Sequence, residues 1–416
     1  MKRYVGTIAS TVCAGLLAFA PVVASAVSQP TPPPEMDAWL KAAKLGKYAE
    51  SPQNWDEINR LALEEGEVVI YSSSSRIAKV AKTFSVEYPG IKVTSYDLGS
   101  VKSVEKTVRE QDANLFNADI VTTGGSGQVV HELWAKNRLV NFVPDQFKDS
   151  IPLENREPVL VRILEALVFM YNTEAHPDAP AIKNIWEVTE AKWKGKVVLK
   201  DPLASLSNFM GIATIVQHAD ELAAAYKRHA GKDIVLHEGV PDAGYEFLYR
   251  FLHNDPVILK SGSKAAKASG KKGQKSPPLF FGPMTYYRYN GTKGYVNGLA
   301  VNLDPAAKVI YPTYMAIGRQ APHPNAAKVF VAYLLGSTDL KADSKLEQPY
   351  NKGESVKLLK GLAPYFDPGS KSPRDDAPFP AGGEVWADMK AWMTDPAFMF
   401  SEGPKVRDFW IQESGS

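Results

Sequence analysis

The sequence predicts an α/β protein of two lobes around a ligand cleft, each lobe a mixed sheet flanked by helices. Helical and strand patterns alternate from residue 55 onwards, which favours parallel βαβ units. The chain has 416 residues, more than one hydrophobic core usually organises. Three serine- or glycine-rich turns lie between a strand and a helix, in two different parts of the chain. Together these observations favour two lobes that face each other.

Residues 1–26 have the pattern of an export signal. Lys2 and Arg3 precede an apolar stretch, and the small residues of an ASA sequence suit cleavage after Ala26. Pro21 interrupts this stretch, and no other apolar stretch approaches the ~20 residues that a membrane-spanning helix needs. We therefore expect an exported protein whose signal peptide is removed.

Removal of that segment changes the charge and the cysteine content. Cys13 is the only cysteine, so the mature chain would form no disulfide and hold no thiol nucleophile. Loss of Lys2 and Arg3 leaves 46 basic residues against 46 acidic ones. A balanced charge argues against nucleic acid as a partner, because phosphate backbones are bound by basic surfaces.

The first elements alternate between helix and strand. Residues 27–54 begin with the proline-rich VSQPTPPPE, which we interpret as an extended spacer. Apolar residues at helical spacing from Trp55 predict a helix that Gly66 ends, followed by a strand over 68–71. A helix up to Pro89 and the strand IKVTSYDL come next. This order implies a parallel βαβ unit.

The alternation continues along the chain. SVEKTVREQDANL and GQVVHELWAKNRL predict helices on either side of the strand ADIVTTGG. Further on, the strand KVVLK precedes the turn DPLASLSNF at 201–209. The basic, small-residue stretch 260–278 is interpreted as a flexible surface loop.

The turns YSSSS, TTGGSGQ and DPLASLSNF each follow the C-terminal end of a strand. Ligands bind outside these strand ends in open α/β sheets, where N–H groups at helix N-termini favour oxygen-rich and anionic groups. Ser, Gly and Asn are also ordinary turn and cap residues, so each turn taken alone has a structural explanation. Their joint placement favours a ligand cleft.

Enzyme signatures are mostly absent. GGSGQ lacks the second glycine of GxSxG, and HELWA lacks the second histidine of HExxH. The seven histidines are scattered, and none pairs with another at ligand spacing. An exported hydrolase with Ser126 or Ser205 as nucleophile is an alternative that requires a histidine beside the serine, and only His131 is near in sequence.

The stretch FGPMTYYRYN gathers Tyr286, Tyr287 and Tyr289 around Arg288. Phenols at alternating strand positions can pack as core and rim. Adjacent phenols can also be hard oxygen ligands of a trivalent metal. Both interpretations stay open on these residues alone.

Several stretches resemble the solute-binding proteins of bacterial ABC importers, with the type 2 periplasmic binding fold (extracellular solute-binding protein family 1). The resemblance implies a monomeric receptor in the periplasm, not an enzyme. It would close over a small ligand by hinge motion and deliver it to an inner-membrane ABC permease. A sensor subunit with the same fold is an alternative. The stretches lie in order over about 55–340 and include EEGEVVIYSSSSRIAKVAKTFSVEYPG, ADIVTTGGSGQVVHELWAKNRLV, NIWEVTEAKWKGKVVLKDPLASLSNFMG and YPTYMAIGRQAPHPNAAKVFVAYLLGS.

The resemblance also implies how the chain is divided. Lobe 1 would comprise residues 55–158 and 306–345, and lobe 2 residues 159–305. The chain would cross between them near VLVRILEALVFMYN and AKVIYPTYMAIG. Residues 346–416 would form a C-terminal helical extension.

Within this family, the sequence is most similar to the ferric-ion-binding branch. Members of that branch bind Fe³⁺ through two adjacent tyrosines just before the chain returns to the first lobe. GPMTYYRYN matches that position and makes Tyr286 and Tyr287 candidate metal ligands, with Tyr289 as a further ligand. Fe³⁺ prefers hard oxygen donors and can deprotonate a phenol. Ferric iron, alone or with an anion, would be the transported ligand, and no catalytic cofactor is implied.

Other relatives bind organic or phosphorylated anions, which gives the alternative ligand. Many iron-binding relatives place a histidine after the first strand, where this chain has serines and Arg76. Hydroxyls, backbone N–H groups and one guanidinium suit an oxyanion. The candidate ligand-binding residues are Ser72, Ser73, Ser74, Ser75, Arg76, Ser100, Gly125, Ser126, Ser205, Ser207, Asn208 and Tyr289.

Overall fold

The structure, a computed structural model, describes residues 27–340, 346 and 352–415. The predicted signal peptide at 1–26 lies outside the described residues. Within those described ranges, no helix combines the length and the apolar character needed to cross a membrane.

The strands of the described chain belong to one hydrogen-bonded, mixed sheet. They are β1 (Glu67–Ser72), β2 (Lys92–Asp97), β3 (Ile120–Thr123), β4 (Leu139–Val140), β5 (Val161–Asn172), β6 (Val197–Lys200), β7 (Val257–Leu259), β8 (Leu279–Pro283), β9 (Asn297–Leu299), β10 (Lys308–Gly318), β11 (Ser370–Lys371) and β12 (Ala391–Met393). The main path runs β2-β1-β3-β10-β5-β8-β6-β7. The strands β1 to β3 are mutually parallel, as are β6 to β8, whereas β5 and β10 run antiparallel to their main neighbours.

Helices flank this sheet and connect its strands. They are α1 (Pro34–Ala42), α2 (Trp55–Glu65), α3 (Ile77–Glu87), α4 (Ser100–Asp112), α5 (Leu153–Arg156), α6 (Leu206–Gln217), α7 (Ala219–Ala230), α8 (Ala243–Leu252), α9 (Gly262–Gly270), α10 (Tyr289–Lys293), α11 (Pro324–Leu334), α12 (Glu354–Leu359), α13 (Pro396–Ser401) and α14 (Gly403–Ser414). A π-helical turn follows β3, and short 3₁₀ turns complete the connections.

The first βαβ unit has the element order that the sequence predicts. α2 begins where the Asn54 side chain accepts a hydrogen bond from the N–H of Glu57, and it ends at Gly66. Gly66 has φ +66°, a left-handed conformation that glycine adopts without a steric penalty. β1 and β2 then pair in parallel, with α3 between them in the chain.

The two long strands β5 and β10 hold the middle of the sheet. They pair antiparallel from Val161 opposite Tyr314 to Leu167 opposite Val309, and almost every residue in both is buried. Continuous apolar runs of this kind are typical of central strands covered on both faces. The strands coincide with the segments in which the sequence predicts that the chain crosses between lobes, and the lobe boundaries themselves stay a prediction.

Two clusters of buried side chains pack on the sheet. One joins α1, α2, α3 and α11 to β1, and its Phe84 and Phe330 have ring centroids 4.8 Å apart. The other covers β5, β6 and β8 and includes Trp186, which is almost fully buried. This second cluster also takes in Val104 and Val129 from the first part of the chain. The two parts of the chain therefore share apolar contacts.

The proline-rich stretch 27–35 contacts the fold, so it is not the spacer that the sequence predicts, although residues 27–33 form no helix or strand, in agreement with an extended segment. Leu40 of α1 is buried in the first cluster. The side chain of Gln29 donates to the carbonyl of Trp134 at 2.8 Å, and that of Asn137 donates to the carbonyl of Pro30 at 2.9 Å. The proline run continues into the first turn of α1, where proline costs no hydrogen bond, and this explains the error.

The stretch 260–278, predicted as a flexible surface loop, contains α9. The Ser261 hydroxyl accepts from the N–H of Lys264 at the start of this helix. Ala265 and Ala266 are fully buried, because small side chains let α9 lie close to β5, β6 and β8. The loop prediction is wrong over this helix, since the small residues serve close packing.

Residues 352–415, here called the C-terminal segment, add strands as well as short helices to the fold. β11 pairs antiparallel with β5, and β12 pairs in parallel with β10. Trp392 stacks on His218 with ring centroids 4.4 Å apart, and Phe400 stacks on His131 at 4.6 Å. His218 precedes α7 and His131 lies in the π-helical turn after β3, so the segment contacts distant parts of the chain.

The ammonium group of Lys328 in α11 is buried and makes stability depend on pH. Its Nζ donates to the carbonyl of Ala43 at 2.5 Å. Burial lowers the pKa of Lys328 from its ordinary 10.5 to about 8. Between these values the unfolded chain binds more protons than the folded one. The stabilisation from this group is therefore complete above pH 10.5 and is lost as the pH falls through 8.

We expect the free energy of unfolding of the wild type, relative to that of Lys328→Met, to rise by about 2 kcal/mol between pH 7 and pH 10.5. Urea unfolding of both proteins across this range measures the difference. Lys82→Met, an exposed position of α3, is the matched control and should show no such rise. A pH-independent difference for Lys328→Met would mean that the buried amine keeps its ordinary pKa.

Candidate functional site

A cleft of about 1000 Å³ opens at the C-terminal ends of two sets of parallel strands, β1 with β2 and β6 with β7 and β8. Open α/β sheets bind ligands at this position. Its lining residues are Ser73, Ser74, Ser75, Arg76, Lys79, Thr83, Asp97, Gly99, Glu165, Lys200, Ser205, Ser207, Asn208, Lys260, Ser261, Gly262, Ser263, Pro283, Thr285, Tyr286, Arg288, Tyr289, Thr292, Tyr311, Val356, Ala363, Pro364, Phe366 and Asp367.

Four helices, α3, α4, α6 and α9, begin at this cleft. The residue just before each of them lines it, namely Arg76, Gly99, Ser205 and Ser261. None of these helices has an acidic residue in its first turn, whereas α1, α2, α7 and α8 all do. A helix N-terminus carries a partial positive charge and free N–H groups. Because four helix N-termini converge on the cleft, it attracts anions.

Positive charge is also in excess among the charged side chains of the cleft. Five cationic side chains line it against three acidic ones. The cationic residues are Arg76, Lys79, Lys200, Lys260 and Arg288, and the acidic residues are Asp97, Glu165 and Asp367.

Two of the cationic groups share one carboxylate. Oδ2 of Asp367 lies 3.2 Å from Nη2 of Arg76 and 3.7 Å from Nη1 of Arg288. Asp367 comes from the C-terminal segment and is buried. Burial raises the pKa of Asp367 to about 6, although both guanidiniums act in the opposite direction. The carboxylate therefore titrates well above its usual range.

Only two of the three predicted tyrosines face the cleft. Tyr286 and Tyr289 line it, with ring centroids 5.4 Å apart, whereas Tyr287 packs partly buried against the second cluster. A 3₁₀ turn over Met284–Arg288 explains this placement. Side chains three residues apart share a face of such a turn, whereas adjacent side chains diverge. The adjacent pair Tyr286 and Tyr287 is therefore not brought together at the cleft.

The two cleft phenols differ in acidity. Burial raises the pKa of Tyr286. For Tyr289, burial acts in the same direction, but the hydrogen bond with Ser263 and the charges of Arg288 and Lys293 outweigh it and lower the pKa. Tyr289 is therefore the phenol that ionises more readily.

The YSSSS turn brings most of its predicted residues to the cleft. Ser73, Ser74, Ser75 and Arg76 line it. Ser72 is buried, and its hydroxyl accepts from the N–H of Ser74 at 3.1 Å. That hydrogen bond holds the turn in which the other serines present their hydroxyls.

The TTGGSGQ turn packs against α6, so Gly125 and Ser126 do not line the cleft. A Cβ on Gly125 would lie 2.6 Å from Cδ1 of Leu206. The N–H and hydroxyl of Ser126 lie 3.2 and 3.3 Å from Sδ of Met210. The Ser100 hydroxyl also turns to α6, where it accepts from the N–H of Leu206 at 3.1 Å. Ligand contact by Ser100, Gly125 and Ser126 stays a prediction.

The DPLASLSNF turn presents its polar side chains to the cleft at the start of α6. Ser205, Ser207 and Asn208 line it, and the Asn208 amide donates to the Ser205 hydroxyl at 2.8 Å. Within the described part of the chain, neither Ser205 nor Ser126 is hydrogen-bonded to a histidine or a lysine. The nucleophile–base hydrogen bond of a serine hydrolase is thus lacking in these residues.

Several cleft residues were not predicted from sequence. Glu165 is a carboxylate in the buried and largely apolar strand β5, a placement that signals a polar partner or a site. Lys200 follows a predicted strand at its C-terminal end, a position that favours ligand contact. No local pattern marks Asp367. Among the described residues, no group of three or more histidines, aspartates or glutamates could hold a metal ion.

We expect Gly125→Ala to destabilise the protein by about 1–3 kcal/mol more than Gly195→Ala, measured by urea unfolding. Both glycines have positive φ, +97° and +68°, so both substitutions strain the backbone, and the strain is larger at Gly125 because its φ lies outside the left-handed region that other residues reach. Only the methyl group at position 125 meets a neighbour, the side chain of Leu206. Equal destabilisation by the two substitutions would show that α6 does not press on this turn.

No family model matches the chain, and no curated protein matches it. Solved structures do match. Iron-bound HitA from Pseudomonas aeruginosa is 16% identical with a TM-score of 0.59, over 83% of this chain and 99% of that chain. AfuA from Actinobacillus pleuropneumoniae, a periplasmic binding protein with bound fructose-6-phosphate, is 20% identical with a TM-score of 0.59, over 84% and 99%.

A third similar structure is MotA from A. tumefaciens B6 in complex with glucopine. It is 15% identical with a TM-score of 0.56, over 84% of this chain and 99% of that chain. The three structures hold different ligands, and at these identities the likeness concerns the fold alone. The fold that the sequence predicts is confirmed: this chain has the fold of the type 2 periplasmic solute-binding proteins.

Proposed function

We propose that the chain is a solute-binding receptor for a small anion bearing a carboxylate or phosphate group. The observation that carries this proposal is the convergence of four helix N-termini, none with an acidic first turn, on one cleft. Oxyanions are the ligands that such N-termini favour. The fold supports a receptor role, since structures that match it are periplasmic binding proteins.

The side chains around the cleft suit the same class of ligand. The guanidiniums of Arg76 and Arg288 would supply charge-assisted hydrogen bonds to its oxygens. The hydroxyls of Ser73, Ser75 and Ser207 would add neutral donors. Closure of the cleft would remove water from these contacts and strengthen them.

The receptor would act in the periplasm and have an ABC permease as its partner. The export-signal pattern of residues 1–26 supports delivery to the periplasm, where the receptor would act as a monomer without a catalytic role. The fold supports transfer of the ligand to an ABC permease of the inner membrane.

Ferric iron is a second candidate ligand. Two phenols, Tyr286 and Tyr289, face the cleft together, and one matching structure is an iron-bound protein. An anion on Arg76 could complete the coordination of the ion. The placement of Tyr287 outside the cleft removes one of the two adjacent ligands expected from the sequence, and it weighs against iron.

Calorimetric titration with sulfate, inorganic phosphate, citrate and a hexose 6-phosphate tests the anion proposal. We expect at least one of these anions to bind saturably. Arg76→Gln should weaken that binding by at least about tenfold, because a charge-assisted hydrogen bond is lost. Arg60→Gln, an exposed arginine of α2, is the matched control. Failure of all four anions to bind, or an equal loss in the control, would contradict the proposal.

The iron candidate has its own spectroscopic test. Metal-stripped protein is titrated with ferric citrate while visible absorbance is recorded, since tyrosinate–iron charge transfer gives a band that protein alone lacks. We expect no saturable band. A band that disappears in Tyr286→Phe and Tyr289→Phe, but persists in Tyr287→Phe, would replace the anion by ferric iron as the ligand.

A further inference from the structure

The C-terminal segment places a carboxylate where an anionic ligand would bind. Oδ2 of Asp367 lies within 3.7 Å of both cleft guanidiniums, those of Arg76 and Arg288. The Asp367 side chain is only 5% exposed. Its second oxygen, Oδ1, is buried and finds no hydrogen-bond partner among the described residues. A buried carboxylate oxygen left without a donor is costly, so this placement calls for an explanation.

The carboxylate is held firmly in this position. The next strand, β11, pairs with β5 beside Glu165. Gly369 packs so closely that a Cβ there would lie 2.4 Å from the backbone of Met284. The Tyr365 ring lies 3.9 Å from the guanidinium carbon of Arg162. Asp367 therefore does not swing away easily when another anion arrives.

Charged groups face Asp367 from several elements packed around it. Arg76 precedes α3, Arg288 follows β8, and Glu165 projects from β5. The guanidinium of Arg162, also on β5, packs on the Tyr365 ring, and three lysines line the cleft further out. Tyr286 and Tyr311 also titrate at this end of the cleft, but the pKa of each is raised by burial, and both stay neutral near pH 7. A bound anion adds a further negative charge, and this disfavours the ionised form of Asp367.

We propose that Asp367 is a built-in competitor for the anion, and that anion binding is coupled to uptake of one proton by its carboxyl group. Protonation neutralises Asp367 and leaves Arg76 and Arg288 to the ligand. The inference rests on the proposed anion-receptor function and adds its regulation. Burial already raises the pKa of Asp367 to about 6, so the proton is available slightly below neutral pH. Among the described residues, no histidine lines the cleft to contribute in this range.

A direct contact between Asp367 and the ligand predicts the opposite effect of its charge on binding. If Asp367 accepted hydrogen bonds from a hydroxyl or ammonium group of the ligand, its ionised form would favour binding. Replacement by asparagine would then weaken binding. The competitor role predicts that the same replacement strengthens it, because the shape is kept and the negative charge is lost.

The test uses calorimetric titration with sulfate, whose charge does not change between pH 5 and pH 8. We expect the wild type to bind sulfate about tenfold more tightly at pH 5 than at pH 8, within the limit of tenfold per pH unit for one coupled proton. Asp367→Asn should bind sulfate about tenfold more tightly than the wild type at pH 8 and lose most of the pH dependence. Asp375→Asn, an exposed aspartate of the same segment, should behave as the wild type.

The outcomes separate this inference from the function on which it rests. Wild-type binding that is equal at pH 5 and pH 8, or weaker binding by Asp367→Asn, would overturn the competitor role while leaving the anion receptor intact. Absence of sulfate, phosphate, citrate and hexose 6-phosphate binding at both pH values, by wild type and variant, would overturn the anion receptor itself. If the variant does not fold, the pH series of the wild type decides.

Discussion

The antiparallel pairing of β5 with β10 is the constraint on which the sheet and its ligand cleft depend. Glu165 and Tyr311 are direct partners in this register, and both line the cleft. Partners in such a ladder keep their side chains on one face, about 5 Å apart. A shift of one residue would turn these polar groups into the core and bring apolar neighbours to the cleft. The hydrogen bonds that hold the sheet therefore also fix the floor of the cleft.

The cleft brings like charges together, and the fold has to compensate for them. Helix N-termini and guanidiniums both disfavour neighbouring positive charge in a partly dry site. Glu165 and Asp367 offset Arg76 and Arg288 in the empty cleft. An incoming anion consequently competes with these carboxylates for the guanidiniums, and its affinity reflects a difference between two sets of ion pairs.

The structural features that depend on residues close together in the chain could be predicted from the sequence. The alternation of elements, the Gly66 helix end and the position of the polar turns follow from local patterns. Contacts between distant residues leave no such pattern. The sequence does not reveal that Ser126 meets Met210, or that Asp367 meets Arg76. Composition also misled where small residues served close packing, as in α9.

The C-terminal segment bears on the order in which the fold can be completed. A polypeptide is synthesised from its N-terminus, so β5 and β10 exist long before β11 and β12. Until those strands emerge, parts of both long strands lack their final partners, and Arg76 and Arg288 lack the carboxylate that they share. A growing chain therefore completes its cleft only after β11 and Asp367 have been synthesised, although the strands that form the floor of the cleft are made earlier.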